Sequence, residues 1–152
     1  MSETPRPNTE NRILSALPRE DYDRLSSQLE PVNLLHSQNI YHAEGRIEHV
    51  FFLSNSMVSL VSQQSDGTAI EVGVTGFEGM VGLPIVLGID RSPHECMVQI
   101  PDGTVRVRAD VIRQEFRRAG ALHDLLLRYA HSLMVTLGQV ATCNRAHSAC
   151  VE

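Results

Sequence analysis

The spacing of apolar residues changes twice along this chain. From Asn11 to Leu29 it is helical: Ile13, Leu14 and Leu17 share a face, Pro18 interrupts, and Tyr22, Leu25 and Leu29 resume the period. Two short helices are predicted, with Pro18 in the first turn of the second, where a missing N–H is tolerated. From Val32 to Val107 the pattern becomes that of short strands. "VNLLH", "NIYHAEG", "HVFFLSNSMVSLVSQ", "AIEVGVTG", "ECMVQI" and "TVRV" carry β-branched and aromatic residues, and "SDGT" and "PDG" supply turns. In "AIEVGVTG", Ile70, Val72 and Val74 fall on one face, Glu71 and Gly73 on the other. Many short strands at this spacing predict a sandwich or roll. Strands followed by helices argue against a βαβ parallel sheet.

From Ala109 the chain turns helical again. "ADVIRQEF" reads as a short helix, Gly120 interrupts, and a long helix runs from Ala121 to about Arg145. Leu126, Ala130, Leu133, Leu137 and Val140 step by four, three, four, three, the spacing of a coiled-coil seam. The seam predicts a homodimer, a twofold closed assembly being the commonest; an internal core helix is the alternative. Leu122, Leu125 and Tyr129 widen the stripe at its start, where the helix is expected to pack on its own domain.

With 152 residues the chain is long enough for one domain with a real core. No apolar run reaches membrane-spanning length, and the polar "MSETPRPNTE" lacks a signal peptide's apolar core. A cytoplasmic protein with no membrane partner is expected. Cys96, Cys143 and Cys150 are odd in number and widely spaced, so no disulfide framework is predicted. The formal charge is −5. Arg106, Arg108, Arg113, Arg117 and Arg118 cluster without interleaved aromatics and read as a solvated face. This chain by itself is not expected to bind DNA.

The stretch "FEGMVGLPIVLGIDRSPHECMVQ" holds the candidate chemistry. Glycines let backbone N–H groups approach a phosphate, and an arginine can neutralise it bidentately. The loop could equally hold another ligand or only pack.

The order of elements, together with "AEGRIEHVFFLSNSMVSL", "GFEGMVGLPIVLG", "TVRVRADVIRQEF" and "LRYAHSLMVTLGQVATCNRAHS", resembles the cyclic-nucleotide-binding domain of the CRP/FNR transcription regulators over nearly the whole length. The resemblance implies an α+β fold: a double-stranded β-helix or jelly-roll β-barrel with N-terminal helices and a long C-terminal dimerisation helix. It divides the chain into a disordered tail (1–10), the roll (11–118) and the dimerisation helix (119–152). It implies effector sensing and dimerisation, with DNA read only by a helix-turn-helix domain not found in this sequence. In that family "GMVG" would be the phosphate-binding cassette. Gly79, Met80, Val81, Gly82, Leu83, Arg91 and Ser92 become the pocket candidates, and Leu126, Ala130, Leu133, Leu137 and Val140 the dimer interface.

Several of the family's nucleotide contacts are missing. Met80 stands where the ribose-binding glutamate is expected, with Glu78 two positions early. Arg91-Ser92 lies one residue out of register with the family's Arg-Ser pair, and Leu137 and Gly138 replace its purine-contacting Thr and Ser. Cyclic AMP is therefore disfavoured, no cofactor is assigned, and the effector is unnamed.

Two other classes were weighed. An enzyme needs a nucleophile, base and orienter, and no such signature appears; His36, His42 and His49 lack the compact spacing of a cupin metal site. A redox- or metal-responsive sensor would draw on His94 with Cys96, or on Cys143 with His147 and Cys150. The resemblance excludes the iron–sulfur type, because no cysteine precedes position 96. A ligand-free dimerisation module is the remaining alternative.

Overall fold

The structure, a computed structural model, describes residues 10–149. The expected tail lies outside the described residues except for Glu10, and so do Cys150 and the side chain of His147. The chain opens with helices α1 (Arg12–Ala16) and α2 (Arg19–Ser26). Eight strands follow: β1 (Glu30–Val32), β2 (Asn39–Tyr41), β3 (His49–Leu53), β4 (Met57–Gln63), β5 (Ala69–Thr75), β6 (Met80–Val81), β7 (Glu95–Ile100) and β8 (Thr104–Arg108). Helices α3 (Ala109–Arg117) and α4 (Ala121–Ala149) complete it. A 3₁₀ turn, Leu83–Ile85, follows β6.

The strands form two antiparallel four-stranded sheets, ordered β1-β8-β3-β6 and β2-β7-β4-β5. This is a jelly-roll-like arrangement, but the expected barrel is not closed, because no strand ladder joins the two sheets. Three of the four edge strands, β1, β2 and β6, have three residues or fewer. Strands so short cannot pair on both sides of a barrel corner. The core lies between the sheets and under the helices, with Leu14, Leu25, Val50, Phe52, Val105, Val107, Ile112 and Leu126 all essentially inaccessible.

One polar residue ties the N-terminal helices to this core. Asn11 is fully buried. Its Oδ1 accepts from the N–H groups of Ile13 (3.0 Å) and Leu14 (3.2 Å), capping α1. Its Nδ2 donates to the carbonyls of Leu53 and Gly79, each at 2.8 Å. The same amide thus starts a helix, ends β3 and fixes the chain just before β6.

In β5 the apolar alternation does not mark the buried face. Ile70 and Val74 face outward, while Gly73 and Thr75 are buried. The inner face has little room for branched side chains because α4 lies against it: a Cβ on Gly73 would come within 2.9 Å of Leu137 Cδ2. Two of the five clustered arginines are paired in place. Arg106 pairs with Glu30 at 3.0 Å and Arg108 with Asp110 at 2.8 Å.

The helix break falls one residue earlier than expected, since Ala119 and not Gly120 takes positive φ (55°). Among the described residues no helix is long and apolar enough to cross a membrane.

The start of the predicted dimer seam belongs to the inward face of α4. Leu126 is completely buried in its own domain, and Ala130, Leu133, Leu137 and Val140 are half-buried. The four-three spacing marks an apolar face of which the roll covers Leu126 completely and leaves the other four partly uncovered. Leu126 is corrected from interface to core. The exposed apolar residues of α4 lie one position round, at Leu127, Met134 and Val135.

Replacing Asn11 tests its role as a tie. Asn11→Ala removes the cap and strands two buried carbonyls, and should cost about 2–4 kcal/mol in denaturant unfolding. Asn11→Asp keeps the cap acceptor but sets a carboxylate against those carbonyls, and should cost no less. A loss within the scatter of surface substitutions would show that the four bonds are dispensable.

Candidate functional site

The loop after β5 is held by its own hydrogen bonds. Glu78 folds back so that its carboxylate accepts the Gly76 N–H (3.1 and 3.2 Å), and the Gly79 N–H donates to Gly76 O at 3.2 Å. Met80 and Val81 then pair with Phe52 and Phe51 of β3. Gly82 enters the left-handed region (φ 104°) and launches the 3₁₀ turn. Further on, the N–H groups of Ile85, Val86, Leu87, Gly88 and Ile89 donate to carbonyls of Gly82, Leu83, Pro84 and Ile85. Pro84 has no N–H to offer.

A cavity of about 270 Å³ opens between this loop, the second sheet and α4. Met80, Val81, Gly82 and Leu83 line it, as do Val58 and Leu60 of β4, Thr75 of β5, Ser92 to His94 with Cys96, and Tyr129, Leu133 and Leu137 of α4. Five of the seven pocket candidates therefore come together. Gly79 and Arg91 do not line it. The Gly79 position is closed by Tyr129, since a Cβ there would lie 2.2–2.6 Å from the phenol ring. The exposed Arg91 donates from Nη1 to Glu44 O at 2.8 Å, and its strand bridge is to Arg46. The register offset in the sequence thus appears in the structure as an arginine outside the cavity. Glu78 is no replacement for a ribose acceptor either. It lines a separate crevice with Arg12, Arg128 and Ser132.

Tyr129 is the site residue that sequence reasoning missed. Its hydroxyl donates to Met80 O at 3.2 Å and meets Thr75 Oγ1 at 2.9 Å. Burial pushes its phenol up to about 12, and raises that of Tyr41 on the opposite wall as well. The signal was available as an aromatic one helical turn before Leu133, on the face that also carries Leu126. Ser92 is buried, and its Oγ accepts the His94 N–H at 3.2 Å. Leu137 lines the cavity, whereas Gly138 is exposed and does not.

His94 and Cys96 both reach the cavity wall. Burial pushes the Cys96 thiol up to about 12, so it is neutral and a poor nucleophile. Cys143 is exposed on α4. His36 and His42 contact Ser37 and Asn39, and burial lowers the half-buried His49. Among the described residues no group of three or more His, Cys, Asp or Glu is arranged to hold a metal ion.

No family model matches the chain, and no curated protein matches it either. Solved structures do. The regulatory subunit of a cAMP-independent protein kinase A from Trypanosoma brucei is 18% identical, with a TM-score of 0.68 over 81% of this chain and 44% of that one. The c-di-GMP responsive global regulator CLP of Xanthomonas campestris is 9% identical, with a TM-score of 0.70 over 82% of this chain and 63% of that one. The N-terminal domain of a transcriptional regulator from Streptomyces coelicolor is 14% identical, with a TM-score of 0.62 over 92% of this chain and 94% of that domain. The chain spans less than two thirds of the first two. It has the fold of the cyclic-nucleotide-binding regulator domains.

Two outcomes follow from the packing. Gly79→Ala should lose about 1–3 kcal/mol by overpacking, and less than that when Tyr129→Ala is already present, as a double-mutant cycle would read. Cys96 should resist alkylation at pH 8 in the folded chain while Cys143 reacts, as peptide mapping would report. The folded thiol titrates above its ordinary 9.0, so its contribution to stability is complete below pH 9 and is lost as pH rises towards about 12. Rapid labelling of Cys96 without unfolding would contradict the burial.

Proposed function

We propose that this chain is the effector-sensing and dimerising half of a bacterial CRP/FNR-type transcription regulator. The observation that carries the reading is that one cavity is walled jointly by the cassette-like loop and by Tyr129, Leu133 and Leu137 of α4. A ligand there touches the roll and the helix together. If it binds one helix position better than another, it shifts the population between them. DNA contact belongs to a helix-turn-helix domain outside these 152 residues. The reading is of a binding site and not an enzyme: Cys96 is neutral, and the Ser92 hydroxyl is engaged by a backbone N–H. A cytoplasmic location is part of the same proposal. The redox- or metal-responsive alternative has less support, for want of a ligand cluster among the described residues.

Dimerisation is part of the proposal, through the half-buried residues of the seam and the exposed apolar residues beside them. Leu127, Met134 and Ala141 are seven apart and exposed, and Ala130 and Leu137 fall between them, restoring a three-four seam one step round from the first. Such a stripe fits a second copy of α4.

Screening by thermal shift should find a small molecule that raises the midpoint, since a ligand of the native state stabilises it by mass action. The same molecule should change amide exchange along residues 129–146. A hit that leaves those amides untouched would mean a pocket without signalling. Cyclic AMP should bind poorly, about a hundredfold or more weaker than at a complete cassette, and tight binding abolished by Arg91→Ala would overturn that. Light scattering should give a dimer, and Met134→Asp should dissociate it by burying a charge at the seam. A monomeric wild-type chain would refute the assembly.

A further inference from the structure

The cavity says more about its ligand than that it is not a cyclic nucleotide. Nearly all of its wall is hydrocarbon or thioether: Val58, Leu60, Met80, Val81, Leu83, Pro84, Leu87, Leu133 and Leu137 dominate it. No Lys, Arg, Asp or Glu lines it. The polar wall groups are mostly occupied. Tyr129 donates to Met80 O and is met by Thr75, and Ser92 accepts from His94 N–H. The loop's amides from Ile85 to Ile89 are bonded within the turn. A phosphate or carboxylate placed here would lose its hydration and gain at most the His94 imidazole, which is unfavourable. An apolar body would lose nothing on entering.

Size narrows the class further. At about 270 Å³ the space is just below the usual range for ligand pockets, about 300–1,000 Å³. The half-buried His94 imidazole is the polar wall side chain left to meet a ligand.

Resting on the sensing reading above, we infer that the pocket between the cassette-like loop and α4 takes a small, uncharged, mostly apolar molecule, of one or two rings or the equivalent chain, with at most one neutral polar group directed at His94. The roof of the site is Leu133 and Leu137, so the ligand is apolar on the very side that touches the helix.

The test uses 1-naphthylamine, a neutral two-ring probe whose emission shifts in apolar surroundings, with the intact chain. Saturable binding is expected, competed by 1-naphthol and about tenfold or more less well by 1-naphthoate, whose charge would be desolvated. Cyclic AMP and inorganic phosphate should not compete. Leu137→Trp should fill the space and weaken the probe about tenfold or more. If that variant fails to fold, Leu87→Trp makes the same test from an exposed rim residue. Leu35→Ser, at an exposed position outside the pocket, should leave binding unchanged.

Probe binding that survives both tryptophans, or naphthoate competing as well as naphthol, overturns the inference. So does the absence of any probe binding. The sensing reading is tested apart by amide exchange in α4. A bound probe with no change there removes sensing and keeps the ligand class. Cyclic AMP binding with a change there removes the ligand class and keeps sensing.

Discussion

The ring of Tyr129 lies where it does only because residue 79 has no Cβ. With the ring seated against Gly79, its hydroxyl reaches Met80 O and Thr75, and three parts of the chain are fixed at once: the loop, the inner edge of β5 and the start of α4. The rest of the site follows from this contact. It sets the angle at which α4 leaves the roll, so Leu133 and Leu137, one and two turns on, come down over β4 and β5 and roof the cavity. It also removes the opening through which a ligand could approach the Gly79 backbone. A glycine in this position reads as a place for close approach, and it is one, but what approaches is the protein's own side chain.

The fold was largely legible because its elements differ in period. The two N-terminal helices, the run of short strands and the long terminal helix each announce themselves in the spacing of apolar residues. The misreadings have one physical source: periodicity marks a face without naming what covers it. The four-three spacing on α4 is real, yet Leu126 is sunk in its own domain. The alternation in β5 is real and left open which face is covered; Ile70 and Val74 point out and Gly73 in, because α4 has taken the space. Asn11 could be seen as a helix start, but its bonds to Leu53 and Gly79 join positions far apart in sequence. No local pattern encodes those.

The site was legible in its negative part. Met80, Leu137 and the displaced Arg91 were visible as departures from a nucleotide-binding pattern, and the cavity is accordingly apolar and without a cation. What replaced the lost chemistry was not visible. Tyr129 looked like one more apolar residue at the start of a helix, since a phenol acts as a site group only once its hydroxyl is seen to have found Met80 O. Burial of Cys96 likewise turns a candidate redox group into a wall residue, and burial is a tertiary property.

Pro84 carries a consequence of a different kind. A side chain lost from a binding site can be regained by one codon change, or its role taken by a neighbour. The N–H missing at residue 84 is a backbone atom, and the five amides that follow are already committed within their turn. Restoring a glutamate at position 80 or an arginine near the mouth would therefore leave residue 84 without an amide and the next five turned to their own carbonyls. That donor is missing from the main chain, where no side-chain substitution elsewhere in the pocket supplies it.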